Sequence, residues 1–176
     1  MTDTKRAARP SWEAALRAQI KAAQGKLLVL GIGNIDKGDD GAGILAARAL
    51  RKELAGRARG KVRVLLGYET PESLTGAIRA FAPRLVVMID AALGTRPPGE
   101  IFLVAREDIP DEGVTTHKIS LRMLIAYLEE TVGCRVIFIG IQAGDLELGR
   151  PASPAVARAA RTAGARIAAI VRSSSA

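Results

Sequence analysis

Two unbroken apolar runs of strand length, residues 27–32 and 85–89, stand between stretches with a helical repeat, and this alternation constrains the fold more than any other feature. A strand without in-and-out alternation of polarity must be covered on both faces. Residues 61–68 and 135–141 read as further strands. Between the strands lie helical segments: residues 40–57, with Ile44, Leu45, Leu50 and Leu54 facing inward; a stretch opened by Thr70 and Pro71 and ending near Phe81; and residues 120–131. Ser153 and Pro154 cap a long final helix that reaches about Val171, with fraying beyond Arg172. The expected fold class is α/β, a mostly parallel sheet of about five strands with helices on both faces.

The connection between the third strand and residues 100–105 covers only residues 92–99 and contains the turn Pro97, Pro98, Gly99. A parallel crossover needs roughly a dozen residues, so residues 100–105 are expected to run antiparallel, at or near an edge of the sheet. Ahead of the sheet, residues 11–23 form a helix with Trp12, Leu16 and Ile20 on one stripe and Gly25 as its stop. The domain plan is a helical appendage at 1–25, one α/β domain at 26–172 and a disordered tail at 173–176.

With 176 residues, 48% hydrophobic and 25% charged, the chain has the composition of one globular domain. No apolar run approaches the ~18 residues that span a bilayer. The basic start, residues 1–10, leads into mixed polar sequence instead of a signal-peptide core, so a cytoplasmic address is expected. A single cysteine, Cys134, excludes an intrachain disulfide and a cysteine-rich metal cage. The net charge of +8 and pI near 10.2 invite a nucleic-acid reading, but the basic residues are spread along alanine-rich helices and only 3% of residues are aromatic. The excess charge fits solvated helix faces, or attraction to an acidic protein partner.

Chemistry in an open α/β sheet gathers at the carboxyl ends of the strands. After the first strand comes GIGNIDKGDDGAG, residues 31–43. A GxGxxG fingerprint from Gly31 would need glycine at 36 and meets Asp36, and Asp39 with Asp40 occupy the helix entrance where a phosphate would sit. A carboxylate pair beside glycines suits a hard or borderline cation; for Asp40 a capping role is the competing reading. Asp90 follows the third apolar run, and His117, the only histidine, precedes a helix. Two acids and an imidazole at one edge can hold a metal with open positions. Gln142, after the last strand, is a candidate to orient a ligand or a substrate carbonyl, with an amide that caps the strand end as the equal alternative. Cys134 starts a strand away from that edge, and no GxSxG elbow occurs.

Residues 31–43, VVMIDA at 86–91 leading to PGEI at 98–101, Thr115–Thr116–His117 and IFIGIQ at 137–142 occur in an order that resembles the hydrogenase maturation endopeptidases. The resemblance spans about residues 27–171 and is strongest to proteases that mature formate-hydrogenlyase-type nickel–iron hydrogenases. It implies a three-layer α/β/α sandwich with a mixed sheet. It implies an endopeptidase that removes the C-terminal extension of the precursor of the large subunit after nickel insertion. Asp40, Asp90 and His117 match the residues that contact the nickel; the nickel is supplied by the precursor and no organic cofactor is implied. Ala143 and Lys118 depart from residues common in that family. The expected partner is thus the hydrogenase large-subunit precursor, met by a monomer without nucleic acid or membrane insertion. A non-catalytic, metal-dependent binding protein for the same subunit is the rival reading.

Overall fold

Five strands, β1 (Leu27–Ile32), β2 (Val62–Tyr68), β3 (Leu85–Ala92), β4 (Ile101–Val104) and β5 (Arg135–Gln142), form one sheet in the order β2–β1–β3–β5–β4. They are seen in a computed structural model that describes residues 11–55, 60–109 and 120–174. The β1–β2, β1–β3 and β3–β5 ladders are parallel, whereas β4 runs antiparallel to β5 at the edge, as the short connection requires.

Residues of β1 and β3 split by parity between two cores. Leu27, Val29, Leu85, Val87 and Ile89 join helices α1 (Trp12–Ala23), α2 (Ala42–Glu53) and α5 (Pro154–Ser174) on one face. Leu28, Leu30, Val86 and Met88 join α3 (Thr75–Phe81) and α4 (Leu121–Tyr127) on the other. The result is the three-layer α/β/α sandwich with a mixed sheet. On the first face α2 and α5 meet through small residues: a Cβ on Gly164 would lie 2.7 Å from the Ala46 carbonyl oxygen.

The helix boundaries differ from the sequence reading in instructive ways. Ser11 caps α1, accepting from the Ala14 amide at 3.2 Å, but the helix stops at Gln24, which takes the left-handed conformation assigned to Gly25. Residues Gly38–Gly41 form a 3₁₀ turn, so α2 begins at Ala42 and ends at Glu53 instead of spanning 40–57. The segment after Thr70 likewise opens with a 3₁₀ turn, Pro71–Leu74, and Thr70 gives no side-chain cap. The stretch expected as one helix at 120–131 becomes α4, capped by Ser120, followed by a π turn at Leu128–Val132. In α5 the Ser153 hydroxyl accepts from the Val156 amide, and the helix continues to Ser174.

Helix α1 is tied to α5 by Trp12 and Leu16 in the shared core, by the Glu13–Arg166 ion pair at 2.9 Å, and by a bond from Arg17 Nη1 to Ser173 Oγ at 3.1 Å. Among the described residues no helix is long and apolar enough to cross a membrane.

Candidate active site

The glycines after β1 are spent on close packing. A Cβ on Gly43 would lie 2.0 Å from the Ile89 carbonyl oxygen and 2.4 Å from that of Ile32, so the first turn of α2 rests directly on the carboxyl ends of β1 and β3. Gly33, at φ +118°, has the Asp40 carbonyl oxygen 1.8 Å from where its Cβ would be.

Asp39 and Asp40 do not act as a pair. Asp39 is fully buried, with Oδ2 accepting from the amides of Gly144 at 2.8 Å and Asp145 at 3.0 Å, and Oδ1 from that of Ser153 at 2.6 Å. Burial by itself would raise its pKa, yet these amides, with the Ser153 hydroxyl, hold the carboxyl below its usual value. The backbone adds Asp39 N to Asp145 O at 2.7 Å and Gly38 N to Arg150 O at 2.9 Å. Asp39 thus clasps the loop after β1 to the segment ahead of α5, and the expectation of an Asp39–Asp40 cation pair is corrected.

Asp40 turns the other way. Its Oδ2 accepts from the Asn34 amide at 2.8 Å, and it lines a cleft of about 520 Å³ together with Asp90. Asp90 lies near the carboxyl end of β3, which runs two residues past it to Ala92, and its Oδ1 is 3.3 Å from the Cβ position of Gly33. Strand order reverses between β1 and β3, so the two acids flank the switch point where ligands of open α/β sheets bind. Burial, together with the charge of Asp40, pushes the Asp90 carboxyl up to about 8, outweighing the 2.7 Å bond from the Ala91 amide. Such perturbation is typical of functional carboxylates.

His117 falls in residues 110–119, outside the described residues. Asp108 and Leu121, which flank that segment, both line the cleft. Among the described residues, no three His, Cys, Asp or Glu side chains come together in a metal-holding group.

Gln142 also lines the cleft, as an amide that caps the strand end. Its Nε2 already donates to the carbonyl oxygens of Gly94 at 3.2 Å and Ala143 at 3.0 Å, so it has no proton left to orient a substrate carbonyl. The Oε1 is buried without a donor. Ala143 donates its amide to the Ala92 carbonyl oxygen at 2.9 Å, a bond that proline at this position could not make. Cys134 is buried, donates Sγ–H to the Leu128 carbonyl oxygen, and burial pushes its thiol up to about 11, the state of an unreactive core cysteine. The cleft's apolar wall, Leu93, Phe102 and Leu103, and the Arg96 guanidinium stacked 4.3 Å from the Phe102 ring, carried no signal in the sequence.

The family model described as "Hydrogenase maturation protease", HycI, matches residues 45–170. The chain belongs to the hydrogenase maturation protease family. Within this family, the hydrogenase 3 maturation protease of Escherichia coli K12 is 38% identical over 116 residues, covering 65% of this chain and 71% of that protein. The crystal structure of the NiFe hydrogenase maturation protease HycI from Thermococcus kodakarensis KOD1 superposes with a TM-score of 0.78 at 31% identity, covering 90% of this chain and 99% of that one. The solution structure of the endopeptidase HycI from E. coli gives a TM-score of 0.67 at 34% identity, covering 82% and 90%. Family membership makes the chain a peptide-bond hydrolase of hydrogenase maturation, and the match to solved members extends to the mixed five-stranded sheet.

Proposed function

We propose that this protein is the endopeptidase that removes the C-terminal extension of a nickel–iron hydrogenase large-subunit precursor after nickel has been inserted, and that Asp40, Asp90 and His117 meet the nickel that the precursor carries. The observation that carries this reading is that Asp40 and Asp90 line one cleft at the switch point, close enough for the charge of one to raise the other. The donor set fits such an ion. Carboxylate and imidazole suit a borderline divalent cation, and a cation between the acids would relieve the burial and mutual repulsion that raise Asp90.

Each residue then has a defined task. The Asn34 amide orients Asp40, and the Ala91 amide orients Asp90, so both present oxygens without first reorganising. At neutral pH Asp90 gives up a proton on meeting the ion. His117 offers a lone pair only when neutral, so recognition weakens below its ordinary pKa of ~6.5. The metal supplies a Lewis acid beside the scissile carbonyl or the attacking water, without a serine or cysteine nucleophile.

The test is incubation with precursor, with and without nickel, followed by mass spectrometry. Loss of a C-terminal peptide from the nickel-loaded form alone is expected, and Asp40→Asn or Asp90→Asn should lower the rate at least about a hundredfold while the protein stays folded. A stable complex whose precursor keeps its full mass would replace this reading with that of a metal-dependent binding protein.

A further inference from the structure

Among the described residues, strand β4 is bonded to a neighbour on one side only. The Gln142 amide donates to the Glu100 carbonyl oxygen at 2.9 Å, in register with the Ile101–Ile141 pairing. In an antiparallel ladder alternate residues exchange both bonds, so Phe102 and Val104 face β5, as does the Glu100 carbonyl, while the N–H and C=O of Ile101 and Leu103 point off the sheet. Natural edges are blunted by charge or proline. The opposite edge, β2, carries Arg63; β4 reads Ile-Phe-Leu-Val, with Leu103 36% exposed. A groove of about 530 Å³ runs along this edge from Trp12 to Glu107, and Arg96, Phe102 and Leu103 line both it and the acid cleft.

We propose that the free edge of β4 holds the C-terminal segment of the precursor in extended form, as a sixth strand leading into the cleft; this rests on the endopeptidase reading above. Main-chain pairing at an edge is an established mode of peptide capture. Asp90, Gly140 and Phe102 lie in one row across the sheet. An added strand would therefore sit three spacings, roughly 14 Å, from Asp90, a distance crossed by about four extended residues. The edge grips residues about that far along the chain from the scissile bond, and the continuous groove carries the segment between the two places.

Amide exchange measured by NMR tests this, with a synthetic peptide spanning the scissile bond and its flanks as the ligand. The amides of Ile101 and Leu103 should become protected at saturating peptide, while those of Phe102 and Val104, already bonded to β5, do not change. Leu103→Pro, which removes the outward N–H, should raise KM for nickel-loaded precursor about tenfold above that of Leu103→Ala, which trims the same side chain from the groove but keeps the N–H. If Leu103→Pro does not fold, exchange in the wild type decides. Normal cleavage with Ile101 and Leu103 unprotected would overturn the docking site. So would protection already present without peptide, which would mean the chain covers its own edge, or protection that grows with protein concentration alone, which would mean a second copy does. Protection without cleavage would keep the docking site and remove the endopeptidase reading.

Discussion

The clasp around Asp39 and the cleft between Asp40 and Asp90 are built from the same side chain at the same edge of the sheet, yet they hold it in opposite electrostatic states. Asp39 is fully buried but receives three amide bonds, and its carboxyl is held low. Asp90 receives one, from its own neighbour, and burial with the charge of Asp40 pushes its carboxyl up to about 8. Burial raises both carboxyls, and the number of donors aimed at each decides whether it is held as an ionised structural anchor or keeps its proton.

The contrast predicts effects of different size. The largest is at the clasp. Asp39→Ala leaves three amides without their acceptor and should destabilise the protein by about 3–5 kcal/mol in urea unfolding, and Asp39→Asn by less, since one amide oxygen can still accept. A stability change below about 1 kcal/mol for Asp39→Ala would erase the distinction between the two sites.

Next is the pH dependence set by Asp90. Below about pH 4 the group is protonated in both states and makes no difference. Between that pH and about 8 the folded protein keeps a proton that the unfolded chain has lost, so stability from this group falls as pH rises. In chelator, the wild type should lose on the order of 3–4 kcal/mol relative to Asp90→Asn between pH 5 and pH 8. Parallel profiles for the two proteins would show that Asp90 titrates normally.

The metal sharpens the same point. Nickel titration at pH 7, run in two buffers of different ionisation enthalpy, should show release of up to about one proton per ion in the wild type and less in Asp90→Asn. The smallest effect belongs to Gln142. Gln142→Met gives up two donor bonds but removes a buried acceptor without a partner, so its stability should change by about 1 kcal/mol or less. A larger loss would mean that the amide braces the Gly94 loop more firmly than its two bonds suggest.

The layered fold was legible because its determinants are local. The unbroken runs at residues 27–32 and 85–89 demanded cover on two faces, and the brevity of residues 92–99 forced β4 to turn back. That Asp40 and Asp90 would meet in one cleft was legible because strand ends converge by topology, while their roles belong to the proposal. The role of Asp39 was not: its acceptors' partners, Gly144, Asp145 and Ser153, lie more than a hundred residues away in the chain, and no spacing rule links them. The 3₁₀ entry to α2 escaped for a related reason, because Gly38–Gly41 is shaped by bonds to Asp145 and Arg150 and not by its own propensities. His117 was singled out as the only histidine, and its part in the site belongs to the proposal.

The isolation of Cys134 has a practical consequence. With the one native thiol closed off in the core, a fluorophore or spin label on an introduced cysteine at Leu93, 77% exposed on the wall of the cleft, would attach at a single place. Such a label would report the arrival and departure of the precursor in real time, separating capture from bond cleavage.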